Sequence, residues 1–487
     1  MSGGLRKVAR RARCGALILC VYLPGCVQGP DYDRPSVDVP SAYRFDGRPI
    51  APDATTSSEA WWVGYADPAL NSLVDEALSN SRDLRIASAR VDEFAAILAG
   101  TRSQGFPQVG YGLSGSRSRA SEQVIPDFVD PKSTSFGALV SASWEIDLWG
   151  RIRRETEAAR ANLLATEEAR RGVTLTLISS VVSSYVTLLD LDARLRIAQA
   201  TAEGRKKSVE LFETRLSGGW VSEFEMSRVR SEYEIALSQI PPIKQGIATQ
   251  EHAMSVLIGR NPGPIARSGE PDELHSPAVP AGLPSDLLLR RPDILQAEQQ
   301  LIASNALIGA ARALFFPRIS LTGLLGLASG SLGDLFKGSA RTWSFTGDVA
   351  GPIYTGGGLT AAVDQATARR DQSLASYEKV IQNAFRDVED ALADLRHSAE
   401  LRETLKRNVA ALQRAVELAN ERYENGFSDY LEVLDTERSL FSAQLQLASA
   451  RGDYQRAMVS LYLALGGDWT ILPPTASPLP QSGESHR

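Results

Sequence analysis

The sequence predicts an α+β membrane protein: two tandem copies of one unit, with four transmembrane β-strands per chain and two very long helical hairpins. Three observations predict it. The chain matches itself at an offset of 207 residues, changing to 210 further upstream. Proline is absent from 132 to 240 and again from 353 to 472. Before each long helix the apolar period is two, the period of a strand, and along the helix it becomes about 3.5, the period of a coiled-coil helix.

Composition removes other classes. Of 487 residues, 43% are hydrophobic and 23% charged, which fits neither a disordered chain nor a polytopic helical membrane protein. Lys and Arg number 52 against 58 Asp and Glu, and five of the cations lie in the first 13 residues. The remainder carries 47 basic and 58 acidic groups, a net charge of −11, so no nucleic-acid partner is expected. The cysteines are Cys14, Cys20 and Cys26, which leaves the body without a disulfide, a zinc cluster or a thiol nucleophile. His252, His275, His397 and His486 are scattered, so no metal or other cofactor is expected.

Residues 1–25 have the form of a signal peptide: a basic start, then an apolar core over 14–23 that is too short to span a bilayer. Leu23-Pro24-Gly25-Cys26 resembles a lipobox, which makes Cys26 the lipidated first residue of the mature chain. The alternative is an ordinary signal peptide with an incidental cysteine.

The first unit covers 67–260 and the second 286–467, with a connector at 261–285, an N-terminal segment at 26–66 and a tail at 468–487. Arg215 matches Arg422, Gly219 matches Gly426, and Phe106-Pro107 matches Phe316-Pro317. In each unit an alternating stretch follows the Phe-Pro pair and a second precedes the long helix. This places strands at about 107–117, 135–148, 318–328 and 342–353. Val140 then shares a face with Ala138 and Ala142, and Ser141 lies on the other. Ten alternating residues suit a membrane strand; a half-buried sheet in a soluble domain is the alternative. Four strands cannot close around water and open edges are not tolerated in lipid; given the membrane reading, three chains would supply twelve strands, an ordinary porin-like number.

The long helices run over about 151–215 and 359–423, roughly 95 Å each at 1.5 Å per residue. Each ends in glycine, at Gly218-Gly219 and Gly426, and a return helix starts near Ser222 and Ser428. Ser428 followed by Asp429 reads as the second N-cap, and Pro241-Pro242 should kink the first return helix.

Several segments together resemble the TolC-like outer-membrane efflux lipoproteins, in the NodT-like branch of RND efflux outer-membrane factors. They are Cys26 followed by GPDYDRP (29–35), WWVGYADPALNSLVDEAL (61–78), WEIDLWGRIRR (144–154), GLPSDLLLRRPDI (282–294), FFPRISL (315–321), GPIYTGGG (351–358), RYENGFSDYLEVLD (422–435) and LYLALGGDW (461–469). The resemblance implies a homotrimer in which a twelve-stranded barrel in outer-membrane lipid continues into a twelve-helix periplasmic tunnel. It implies passive export for an inner-membrane pump, proton-driven and of the RND type, through a periplasmic adaptor. The departures are Pro24 in the lipobox and Ser428, where some relatives carry a basic gate residue. A periplasmic coiled-coil adaptor or scaffold lipoprotein is the alternative, although it should have one hairpin rather than two. No enzyme is expected.

The resemblance makes the helix tips the adaptor-contacting ends, with Gly218, Gly219, Ser222, Gly426, Ser428 and Asp429 as candidates. Glu432 and Asp435 lie three apart on one face of the second return helix. The resemblance makes them the acidic constriction; a solvated face is the alternative. Tyr423, Glu225 and Arg228 are expected to complete the closing network, with Arg228 as a cation for these acids.

Overall fold

The structure, a computed structural model, describes residues 27–44, 61–124, 126, 128, 130–267, 269, 274 and 287–467. The expected signal peptide, Cys26 and the tail at 468–487 lie outside the described residues, as does most of the 261–285 connector's second half. In chain order the elements are a 3-10 turn at Trp61–Tyr65, α1 (Pro68–Asn80), α2 (Arg82–Ser103), β1 (Gln108–Arg119), β2 (Lys132–Ile146), α3 (Arg151–Ser217) and α4 (Glu223–Leu257). After a single helical turn at Leu287–Arg290 come α5 (Pro292–Ala313), β3 (Arg318–Ser329), β4 (Arg341–Ala350), α6 (Gly358–Glu424) and α7 (Tyr430–Ala464). The paired helices have equal lengths: α2 and α5 have 22 residues, α3 and α6 have 67, α4 and α7 have 35.

The chain divides into two compact units that interleave both copies. One takes Met1–Ser36, Arg90–Thr166 and Gln296–Tyr377; the other takes Val37–Ala89, Glu167–Leu295 and Glu378–Arg487.

The first unit holds an antiparallel sheet in the order β1-β2-β3-β4. Opposed residues share a face, so the register fixes what each face carries. Tyr111 pairs with Val140, Val140 with Leu325, and Leu325 with Trp343. The next row is Val109, Ala142, Gly323 and Phe345. That face is apolar across all four strands, and Tyr111, Leu113, Leu325, Trp343 and Phe345 are exposed on it. The opposite face carries Ser114, Ser141, Ser143, Ser320, Thr322, Ser344 and Thr346, with Leu139 and Leu324 as its large apolar members. β1 reaches Arg119 and β2 starts at Lys132, so this hairpin extends beyond the alternating stretches.

The N-terminal segment is fixed in the same unit. Arg154 is buried and donates to the Gln28 carbonyl at 3.1 Å and to Asp31 at 2.8 Å. Asn305 donates to the Pro30 carbonyl at 3.1 Å, and Tyr32 donates to Glu298 at 3.1 Å.

The second unit is built around the middle of α3. Leu177, Ile178, Val181, Val182, Tyr185, Leu188 and Leu189 pack with Trp61, Tyr65, Leu70, Leu73 and Val74 in one core. Trp61 stacks on Tyr462, centroids 4.6 Å apart. This explains why α3 alone among the described helices is long and apolar enough to cross a membrane: the apolar stretch is core. Each such side chain contributes about 1.5–3 kcal/mol when fully buried. Buried Asp67 caps α1 by accepting from the Ala69 N–H at 2.8 Å, and its second oxygen accepts from the Tyr185 hydroxyl at 2.5 Å. α4 continues through Pro241 and Pro242, the site of the expected kink, as one helix.

Candidate functional site

The two hairpin tips are built alike. At the end of α3 the Trp220 N–H donates to the Arg215 carbonyl and the Gly219 N–H to the Leu216 carbonyl, both at 2.9 Å. At the end of α6 the Phe427 N–H donates to the Arg422 carbonyl at 2.8 Å and the Gly426 N–H to the Tyr423 carbonyl at 3.0 Å. These are Schellman closures, which place the C′ residue in the left-handed region. Gly219 has φ +74 and Gly426 has φ +75, conformations that cost a residue with a Cβ.

The return helices are capped differently. Ser222 forms a capping box: its Oγ accepts from the Glu225 N–H at 3.2 Å, and Glu225 accepts from the Ser222 N–H at 2.7 Å. The expected cap at Ser428 shifts by one. Asp429 is the N-cap and accepts from the Leu431 N–H at 3.4 Å, because its carboxylate reaches the first turn that Ser428 precedes.

A cluster from all four long helices lies just behind the tips. Phe212 of α3, Met226 and Val229 of α4, Ala419 of α6, and Tyr430, Val433 and Leu434 of α7 form one buried core. Tyr423 lies against Tyr430 at 4.9 Å, and its hydroxyl accepts from the Arg215 Nη1 at 2.5 Å. The Arg215 guanidinium also sits 5.6 Å from the Phe212 ring centre. Burial holds the Tyr430 phenol above its usual range.

Further along, buried Arg205 donates to the Glu232 carbonyl at 2.6 Å and pairs with its carboxylate at 3.1 Å. Burial lowers the Arg205 guanidinium, against the pull of Glu232 and Glu437. Burial raises the Glu437 carboxyl, with Arg205 opposing and Glu232 adding.

The structure distributes the expected gate residues within one protomer. Glu432 pairs with Arg422 at 3.6 Å, and Asp435 pairs with Arg438 one turn along the same helix. Tyr423 does enter a cross-hairpin contact, with Arg215. Glu225 is committed to its own capping box. Arg228 lies 5.6 Å from the Phe224 ring centre rather than beside Glu432 or Asp435, because the i,i+4 spacing brings it over its own helix's aromatic. Sequence reasoning missed Arg215, Phe212 and Tyr430, whose partners come from other helices. It also missed Trp220 and Phe427, aromatics at equivalent positions of the two copies, 83% and 77% exposed. Their signal was the 207-residue spacing beside the matched glycines.

Where strand passes into helix, acids act structurally. Glu145 accepts from Arg151 at 3.0 Å, and Asp147 accepts from the Ile152 and Arg153 N–H groups at 3.2 and 2.9 Å, closing the first turn of α3. No group of three or more His, Cys, Asp or Glu side chains suited to a metal occurs among the described residues.

Comparison with known proteins adds identity to this geometry. The outer membrane efflux protein family matches residues 73–260 and 283–467, one segment per copy. The chain is 38% identical over 460 residues to the cation efflux system protein CusC of Escherichia coli O6:H1, covering 94% of this chain and 99% of that one. It is 36% identical over 463 residues to the solvent efflux pump outer membrane protein SrpC of Pseudomonas putida, covering 93% and 97%. A crystal structure of CusC, described in terms of transmembrane channel formation, superposes with a TM-score of 0.82 at 37% identity, over 91% of this chain and all of that one. This is a transport family rather than an enzyme family. The chain belongs to the outer membrane efflux protein family, and it is an outer-membrane exit channel of an efflux system that reaches into the periplasm.

Proposed function

We propose that three copies close into a twelve-stranded transmembrane barrel continuous with a twelve-helix periplasmic tunnel, anchored by lipid at Cys26. The observation that carries this reading is the uninterrupted apolar face running Tyr111, Val140, Leu325 and Trp343 across all four strands. A four-stranded open sheet leaves unpaired edges that lipid does not tolerate, and β1 and β4 are the edges that neighbouring copies would pair. The polar face then lines the water-filled lumen. Val27 supports the anchor: an added Cβ at Gly150, just ahead of α3, would come within 2.8 Å of its side chain. The segment following Cys26 therefore runs beside the strand-to-helix passage.

The hairpin tips dock the periplasmic adaptor and close the tunnel. Docking uses Gly218, Gly219, Ser222, Gly426, Ser428 and Asp429, together with exposed Trp220 and Phe427. Closing uses Tyr423 with Arg215, and the acids Glu432 and Asp435 as a ring repeated three times around the axis. Such rings favour cations. The relatives' names pair this architecture with both cations and solvents, which supports a passive duct whose cargo is chosen by a proton-driven inner-membrane pump of the RND type. Photo-crosslinking from positions 220 and 427 in living cells tests the docking. The account predicts a covalent adduct with a periplasmic adaptor from both; crosslinks only to lipid or to the barrel end would contradict it.

A further inference from the structure

The charged residues of the sheet are segregated in a way that export does not require. Seven strand residues carry charge: Arg117, Arg119, Lys132, Glu145, Arg318, Arg341 and Asp348. Both acids lie on the polar face: Glu145 pairs with Ser320, and Asp348 does too. Arg318 shares that face, opposite Ala350. The other four cations lie on the apolar face. Arg117 opposes Thr134, Arg119 opposes Lys132, and Arg341 opposes Leu327.

These four also share one end. α2 and α5 lead into β1 and β3, and β2 and β4 lead into α3 and α6, so every helix joins the sheet at its other end. Arg117, Arg119, Lys132 and Arg341 sit where the strands meet the two hairpin loops. In a channel whose helices reach into the periplasm, that is the outer end.

All four are exposed, and their local neutralisation is incomplete. Arg119 pairs with Glu122 at 2.8 Å. Among the described residues, Arg117, Lys132 and Arg341 pair with no carboxylate. Among the described residues, Asp130 accepts from the Lys132 backbone N–H at 2.9 Å, and Asp334 pairs with Lys337. Two cations directly opposed across a ladder, as Arg119 and Lys132 are, destabilise the pairing unless an anion lies between them. Phe136, opposite Gly115, sits on the same face between the cations and the apolar rows, where an aromatic suits a membrane interface.

We infer that Arg117, Arg119, Lys132 and Arg341 form a binding site on the lipid-facing side for the phosphate groups of an outer-leaflet glycolipid, whose acyl chains lie along the apolar face below. The inference rests on the proposed membrane-spanning sheet. Headgroup phosphates supply anions for the three cations that pair with no carboxylate among the described residues, and long Arg and Lys stems can lie along apolar surface while their heads reach the interface.

The test uses full-length protein extracted from outer membranes in mild detergent, compared with a variant carrying Arg117→Gln, Lys132→Gln and Arg341→Gln. Co-purified phosphorylated glycolipid is quantified by mass spectrometry. Rebinding is then measured with phosphatidylcholine vesicles containing bisphosphorylated lipid A or its dephosphorylated form, and with inorganic phosphate alone. The variant should lose retained glycolipid by more than about tenfold while keeping its oligomeric mass. The dephosphorylated lipid and free phosphate should bind neither protein. Equal retention by the variant, or equal binding of the dephosphorylated lipid, would overturn the site. Failure of the spanning sheet itself would show separately, as equal membrane insertion of Val140→Arg and Ser141→Arg, positions the glutamine variant leaves untouched.

Discussion

The Arg215 guanidinium donates to the Tyr423 hydroxyl at 2.5 Å, so the end of α3 holds the end of α6. Arg215 and Arg422 are equivalent in the two copies, yet they do different work. Arg422 turns to Glu432 on its own hairpin's return helix. The two hairpin ends thus make one contact between hairpins and one within a hairpin. Tyr423→Phe removes the acceptor and leaves the ring packed on Tyr430. It should weaken tip closure by about 1 kcal/mol, seen as a larger open probability in planar-bilayer recordings. An unchanged open probability in the phenylalanine variant would remove this pair from the gate.

Replacing Glu432 and Asp435 together by Ala should reduce cation preference and relieve block by divalent cations in the same recordings, with oligomer stability nearly unchanged. Both side chains are exposed and paired only with Arg422 and Arg438 within the protomer, so little folding energy rests on them. Identical selectivity in the double variant would move the constriction elsewhere.

Much of this was legible in the chain because it is periodic. The proline gaps and the change of period locate the strands and long helices to within a few residues, since side-chain direction follows directly from backbone period. The assignment of Val140 and Ser141 to opposite faces agrees with the register. Contacts between copies were not legible: Arg215 and Tyr423 are 208 residues apart, and no local rule links them. Ser428 and Asp429 are both good caps, and only the geometry of the turn chooses between them. The Glu225 capping box could have been read from the Ser222-to-Glu225 spacing.

Asp190 gives a pH-dependent prediction. Its carboxyl is buried, one oxygen has no hydrogen-bond partner, and burial pushes it up to about 6 against the opposing charges of Arg456 and Arg194. An unfolded aspartate titrates near 3.9, so between about 4 and 6 the folded protein binds the extra proton. The associated stability is present below about pH 4 and is lost as pH rises through 6. Asp190→Asn should therefore stabilise the protein at pH 7.5 by about 1–3 kcal/mol and change little at pH 4. Thermal unfolding at the two pH values checks this; the same shift at both would mean that Asp190 is not protonated on folding.

Cys26 should be the first residue of the mature chain and should carry lipid. Mass spectrometry of the N-terminal peptide reads this directly, and an unmodified Cys26 would contradict it. Cys26→Ser should still insert as an oligomer, because the strands hold the assembly independently of the anchor.

An arginine at Val140 places a charge on the apolar face and should cost about 2–4 kcal/mol at the membrane midplane. The same residue at Ser141, on the polar face, should be tolerated far better. Heat-modifiable band shifts on gels, scored for both variants, separate the two faces, and equal defects would reverse the assignment.

Closure of four strands by three chains is the central claim, and the native mass of detergent-solubilised protein tests it most directly. The account predicts a particle of three times the monomer mass, resistant to dissociation until the sheet itself unfolds. A monomer that inserts stably into a bilayer and conducts on its own would contradict it.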